Sequence, residues 1–131
     1  MNGLSNCKNN PWQGEAKRVL TICSAGLLRS PTAAVVLTEA FKYNCRAAGI
    51  VDEYALIPVS ETLVYWADEI VFMQDEHLWD FQFKFKESGI ANLVLEENRY
   101  QVLNIPDVYT RMDEDLVEHI LKRYDPKHVK K

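Results

Sequence analysis

Apolar and polar positions along this chain show two kinds of spacing, one typical of β-strands and one typical of α-helices. Four short segments are predicted β-strands, over residues 19–23, 44–48, 69–73 and 100–105, and the segment 69–73 is compactly apolar. Apolar side chains recur at helical spacing in the stretches that follow them, over residues 31–43, 60–66, 75–86 and 113–124. Strands that alternate with helices predict a single three-layer α/β domain, a four-stranded parallel sheet with helices on both faces. Ligands bind such sheets at the carboxyl ends of the strands.

Polar residues mark the limits of several predicted helices. Ser60 is a predicted N-cap with Glu61 in the first helical turn, and Asp113 opens the last helix. Ser88 and Gly89 predict a turn after the third helix. His77 lies near the start of that helix, where we expect a surface or capping role.

Length and composition describe one globular domain. The chain has 131 residues, of which 47% are hydrophobic and 26% charged, and this is enough for a real core. Residues 1–17 lack periodicity and contain Asn, Gly and Pro, so they predict an irregular arm that Trp12 could pin to the core. The α/β domain is expected over residues 18–125, followed by a short basic tail over residues 126–131.

Charge and hydropathy exclude several classes of partner. The net charge of −4 argues against a nucleic-acid surface. No apolar run approaches the roughly 18 to 20 residues of a membrane span, and the polar start is unlike a signal peptide. The three cysteines, Cys7, Cys23 and Cys45, are odd in number and lack metal-ligand spacing. We therefore expect a cytoplasmic protein without a disulfide framework, metal or cofactor.

The segment from Cys23 to Ser30 carries the candidate chemistry. Cys23 ends the first strand, five loop residues follow, and Arg29 lies where a helix begins. Backbone N–H groups in such a loop, together with the helix N-terminus, create positive potential for an anion and favour a thiolate. Arg29 adds a planar fork that can hold two phosphoryl oxygens. Cys23 is thus a predicted nucleophile, and the predicted phosphate-binding residues are Ser24, Ala25, Gly26, Leu27, Leu28, Arg29 and Ser30. The plainer alternative is a buried cysteine before a helix.

This segment resembles the active-site loop of the low-molecular-weight protein tyrosine phosphatase family, Cys-x-Gly-Asn-x-Cys-Arg-Ser-Pro. The resemblance extends over residues 18–125, including the segment 67–73, and it implies the flavodoxin-like strand order 2-1-3-4. The chain keeps Cys23, Arg29, Ser30, Pro31 and Ala33, and departs from the family with Ala25 for Gly, Gly26 for Asn and Leu28 for Cys.

The departures concern the groups that surround the nucleophile. In the family, the loop asparagine and a serine at the end of the second strand brace the loop, whereas this chain has Gly26 and Ala47. The second cysteine of the family loop, which protects the nucleophile from oxidation, is replaced by Leu28. Ser30 resembles the family serine that supports the thiolate, and it is also a predicted N-cap of the following helix.

A cysteine phosphatase also needs a general acid. Asp107 follows the last predicted strand in Ile-Pro-Asp-Val-Tyr and resembles the family's Asp-Pro-Tyr acid loop, with Val108 in place of Pro. Asp113 and Asp115 also lie near strand ends, but acidic residues at a helix start are expected from the helix dipole. Asp107 is therefore the predicted acid, and a turn aspartate is the alternative. Tyr109 and Tyr54 are candidates for the substrate pocket, or else for the core.

The resemblance implies a phosphate monoester hydrolase that acts through a phosphocysteine on Cys23. Its expected partners are a phosphotyrosine-containing protein or a small aryl phosphate. One alternative is a phosphocysteine phosphate carrier like the B-type domains of the sugar phosphotransferase system, which lack an arginine at the Arg29 position. An arsenate reductase would need late resolving cysteines, and none follows Cys45. A phosphate-binding module without turnover is a further alternative.

Overall fold

The computed structural model describes residues 16–129, so Trp12, Cys7 and most of the predicted arm, with the last two residues of the tail, lie outside the described residues. The strands are β1 (Arg18–Cys23), β2 (Asn44–Gly49), β3 (Glu69–Phe72) and β4 (Tyr100–Val102). The helices are α1 (Arg29–Phe41), α2 (Glu61–Trp66), α3 (Asp75–Lys84), α4 (Ile90–Glu96) and α5 (Glu114–Arg123).

The four strands form one all-parallel sheet in the order β2-β1-β3-β4, which confirms the predicted fold class and strand order. Side chains alternate between the two faces of each strand, so each face builds its own core. Val19 and Val71 pack with α1 and α5 on one face. Leu20 and Phe72 pack with α2, α3 and α4 on the other. Helices thus cover both faces, and β1 lies inside the sheet with its last residue, Cys23, opposite Gly49.

Several predicted element limits agree with the structure, and others need correction. Ser60 caps α2, since its Oγ accepts a hydrogen bond from the backbone of Leu63 at 3.2 Å. Helix α4 was not predicted, because it has only seven residues. Strand β4 ends at Val102 rather than residue 105. Asn104 in this segment has a φ of 55°, a left-handed conformation that interrupts a regular strand.

The prediction that Ser30 caps α1 is wrong. The helix begins at Arg29 with Leu28 in the N-cap position, so Ser30 already lies within the first turn. The carbonyl of Leu28 accepts hydrogen bonds from both the backbone N–H and the hydroxyl of Thr32. The hydroxyl of Ser30 does not cap the helix and instead lies beside Cys23, the last residue of β1.

A buried polar cluster lies at the amino end of the strands, opposite the end where Cys23 lies. The Nζ atom of Lys17 is 2.9 Å from Oε1 of Glu69, and both side chains are almost fully buried. The hydroxyl of Tyr124 donates to the same Glu69 oxygen at 2.7 Å. Lys17 also donates to the carbonyl of Val129. These bonds attach Lys17, from the predicted arm, and Val129, from the predicted tail, to the sheet. Within residues 16–129, no helix combines the length and apolarity that crossing a membrane requires.

Candidate active site

A cavity of about 230 Å³ lies at the carboxyl end of β1. The loop between β1 and α1 forms most of its wall, and a carboxylate from the loop after β4 completes it. The two loops therefore bring the predicted nucleophile, arginine and acid around one space. The lining residues are Cys23, Ser24, Ala25, Leu27, Leu28, Arg29 and Asp107.

Two hydrogen-bonding groups contact the sulfur of Cys23. The backbone N–H of Gly26 donates to Sγ at 3.2 Å, and the hydroxyl oxygen of Ser30 lies 3.1 Å from it. The Ser30 hydroxyl also lies 3.4 Å from the carbonyl of Ala48. A thiolate accepts hydrogen bonds, so both groups can stabilise the charged form of Cys23.

Arg29 is buried, and its guanidinium is held from two sides. The NH1 group donates to Oε1 of Gln74, at the start of α3, and to the carbonyl of Ile105 at 2.9 Å. The Nε atom lies 3.6 Å from Oδ1 of Asp107. These partners orient the planar fork before any ligand binds, which reduces the ordering cost of holding a phosphoryl group.

Asp107 is the exposed member of this group, with 60% of its side chain accessible. Asp113, considered with it as a possible acid, instead accepts a hydrogen bond from the backbone of Asp115 and caps α5. The prediction that Asp113 opens the last helix is thus confirmed. Among these three carboxylates, the one from Asp107 lines the cavity.

Backbone contacts support the loop where the family has polar side chains. Gly26 has a φ of 75°, and a Cβ atom there would lie 2.8 Å from the carbonyl carbon of Ala48. A Cβ at Gly49 would lie 2.6 Å from the carbonyl carbon of Ala25. The loop and the end of β2 therefore pack against each other directly, and this closeness requires glycine at both positions.

His77 is a site residue that sequence reasoning assigned only a surface or capping role. The capping role is confirmed, because Nδ1 of His77 accepts a hydrogen bond from the backbone of Gln74 at 3.0 Å. The surface role is wrong: the side chain is buried, and its Nε2 atom lies 3.1 Å from the hydroxyl oxygen of Ser24. Burial lowers the pKa of His77 to about 4; the positive charge of Arg29 also lowers it, and Asp107 opposes this.

Tyr109 and Tyr54, the two candidates for the substrate pocket, do not line the cavity. Tyr109 is partly buried against the α1–α5 core, and its ring centre is 5.7 Å from that of His119. Tyr54 is exposed in the segment after β2. Neither is among the described residues that line the cavity, so their role in substrate binding stays a prediction. Within residues 16–129, no cluster of three or more His, Cys, Asp or Glu side chains could hold a metal ion.

The sheet order and surrounding helices are those of the low-molecular-weight tyrosine phosphatase fold, and solved structures of that fold are similar to this chain. The tyrosine phosphatase Wzb from Escherichia coli K30, in complex with phosphate, is 17% identical with a TM-score of 0.60, covering 82% of this chain and 93% of that one. Vibrio vulnificus Wzb in complex with benzylphosphonate is 17% identical with a TM-score of 0.58, covering 82% and 90%.

A third similar structure is the YwlE arginine phosphatase from Geobacillus stearothermophilus. It is 16% identical with a TM-score of 0.56, and the alignment covers 81% of this chain and 84% of that one. No family model and no curated protein matches the sequence. The predicted resemblance is therefore confirmed at the level of the fold.

Proposed function

We propose that this protein is a cysteine-dependent phosphate monoester hydrolase of the low-molecular-weight tyrosine phosphatase type. One observation carries the proposal: the sulfur of Cys23, the guanidinium of Arg29 and the carboxylate of Asp107 share one small cavity. A nucleophile, a phosphate-binding fork and a proton donor are the groups that phosphoryl transfer through a thiolate requires.

In the first step, the Cys23 thiolate attacks phosphorus, the sulfur–phosphorus bond forms, and the ester oxygen–phosphorus bond breaks. Asp107 gives its proton to the departing oxygen. In the second step, Asp107 takes a proton from water, the water oxygen attacks phosphorus, and the sulfur leaves as thiolate. Arg29 and the loop amides stabilise the charge that the transferring group carries in both steps. The sum is hydrolysis of the ester to an alcohol and inorganic phosphate.

The walls of the cavity favour an aryl phosphate, with phosphotyrosine in a protein as the proposed substrate. Leu27 and Leu28 line the cavity and are more than one-third exposed, so they offer apolar surface where a ring would enter. Burying a ring against such surface contributes binding energy that a small alkyl ester lacks. We therefore expect phosphotyrosine peptides to be hydrolysed faster than phosphoserine peptides.

The phosphate-carrier alternative is weaker because of the same residues. A carrier keeps its phosphocysteine until another molecule accepts the phosphate. It needs neither an arginine that binds the phosphoryl group nor a general acid. Here the Nε atom of Arg29 lies 3.6 Å from the Asp107 carboxylate beside the nucleophile. That arrangement favours release of the leaving group and activation of water.

The test measures hydrolysis of 4-nitrophenyl phosphate with a metal chelator present. Cys23→Ser should reduce turnover to background, since the hydroxyl is a far poorer nucleophile. Cys45→Ser is the matched control, because Cys45 is the other buried cysteine of the described residues and lies outside the cavity. An inactive wild-type protein, or an active Cys23→Ser variant, would contradict the proposal.

A further inference from the structure

The hydrogen bonds of His77 determine which of its ring nitrogens carries the proton. Nδ1 lies 3.0 Å from the backbone N–H of Gln74, and this N–H can only donate. Nδ1 must therefore accept, so in a neutral ring the proton is on Nε2. The ring is neutral near pH 7, because burial holds the pKa of His77 at about 4.

The same argument extends to the neighbouring serine. Nε2 of His77 lies 3.1 Å from Oγ of Ser24, so the ring donates and the hydroxyl oxygen accepts. The hydroxyl proton of Ser24 is then unable to point at His77 and must be directed to another acceptor. Ser24 lines the cavity beside Cys23 and Arg29. A phosphoryl oxygen in that cavity is an acceptor that the reaction itself supplies.

We infer that Ser24 is a substrate-binding donor whose hydroxyl bonds a non-bridging phosphoryl oxygen, and that His77 is the positioning residue that orients it. The inference rests on the proposed function and assigns two residues to it. The contact between His77 and Ser24 adds a polar side-chain contact from α3 to the backbone packing that the end of β2 gives the loop.

The first experiment removes or restores the hydroxyl. Ser24→Ala should lower kcat/KM for 4-nitrophenyl phosphate by about 10- to 100-fold, since a hydrogen bond to a charged group is lost. Ser24→Thr keeps the hydroxyl and should remain within about three-fold of wild type. Ser88→Ala is the control: its hydroxyl donates to the carbonyl of Phe85, away from the cavity, and its loss should leave activity unchanged.

The second experiment asks whether His77 acts through Ser24. His77→Met keeps a weak acceptor at the third position of α3, but its thioether sulfur has no hydrogen to donate to Ser24. It should lower kcat/KM as Ser24→Ala does, and the double variant should be no worse than Ser24→Ala alone. A role confined to helix stability would instead add to the Ser24→Ala effect. The ¹⁵N shifts of the His77 ring should report a proton on Nε2 and none on Nδ1.

Binding of inorganic phosphate separates this inference from the proposed function. If the wild type does not turn over, the proposed function fails, yet calorimetry with phosphate still tests the donor. Ser24→Ala should then weaken phosphate binding by about 10-fold, with Ser24→Thr close to wild type. Unchanged turnover and unchanged phosphate affinity in Ser24→Ala would overturn the inference, as would a proton found on Nδ1.

Discussion

The carboxylate of Asp107 lies 3.6 Å from Nε of Arg29 across the mouth of the cavity. The predicted phosphate-binding fork therefore faces the predicted acid. A phosphate group carries like charge to that carboxylate and competes with it for the guanidinium.

Asp107→Asn should therefore have opposite effects on binding and turnover. Inorganic phosphate should bind a few-fold more tightly, because the amide does not repel the anion. Turnover should fall by about 10²- to 10⁴-fold for alkyl esters with poor leaving groups, and much less for 4-nitrophenyl phosphate. Steady-state kinetics over a leaving-group series, with phosphate as inhibitor, measures both. Asp115→Asn, an exposed carboxylate in the first turn of α5, should change neither quantity. Equal losses across the series would mean that another group is the acid.

Gly26 should not accept the asparagine that the family has at its position. Gly26→Asn or Gly26→Ala puts a Cβ 2.8 Å from the backbone of Ala48, so we expect a loss of about 3 kcal/mol or more in unfolding free energy. Gly89→Ala is the matched control, since Gly89 has a φ of 77° but open space around its Cβ position. That variant should cost about 1 kcal/mol, from backbone strain alone. Denaturant titration distinguishes the two; equal costs would show that space at Gly26 is not limiting.

The free energy of unfolding should decrease as the pH is lowered from about 6.5 to about 4, because His77 is buried in its neutral form. Its pKa is lowered from 6.5 to about 4 in the folded protein, so the unfolded chain binds a proton first as pH decreases. The contribution of neutral His77 to the free energy of unfolding is fully present above pH 6.5. It decreases by roughly 2 to 3 kcal/mol as the pH falls to about 4. His77→Gln should flatten this part of the profile. Chemical denaturation at several pH values measures it, and an unchanged slope in the variant would assign the effect to another group.

The buried pair Lys17–Glu69 should matter for stability and not for catalysis. Lys17→Met leaves a buried, uncompensated carboxylate and should cost about 3 to 5 kcal/mol. Adding Glu69→Gln removes that charge and should recover part of the loss. Wild-type kcat in folded protein at low temperature is expected for both variants, because the pair lies at the opposite end of β1 from Cys23. A kcat that falls with stability still intact would contradict this separation.

The sequence was informative where a local pattern decides the outcome. The spacing of Cys23 and Arg29 put them at the two ends of one loop, and Ser60 and Asp113 cap helices as residues of their type do. The burial of His77 could not be predicted, because it depends on how α3 packs against the loop after β1. The position of Tyr109 likewise depends on the loop after β4, where two left-handed residues, Asn104 and Met112, redirect the chain. Ser30 was misassigned as a cap because its sequence context suits both roles.

The bond between Lys17 and the carbonyl of Val129 has a practical consequence. It brings both ends of the described chain together, about 20 Å from Cys23 along a strand of six residues. A fluorophore or surface tether attached at Ala16 or His128 would lie on the side of the molecule that faces away from the cavity. Protein immobilised at this end would therefore present the cavity that contains Cys23 to the solution.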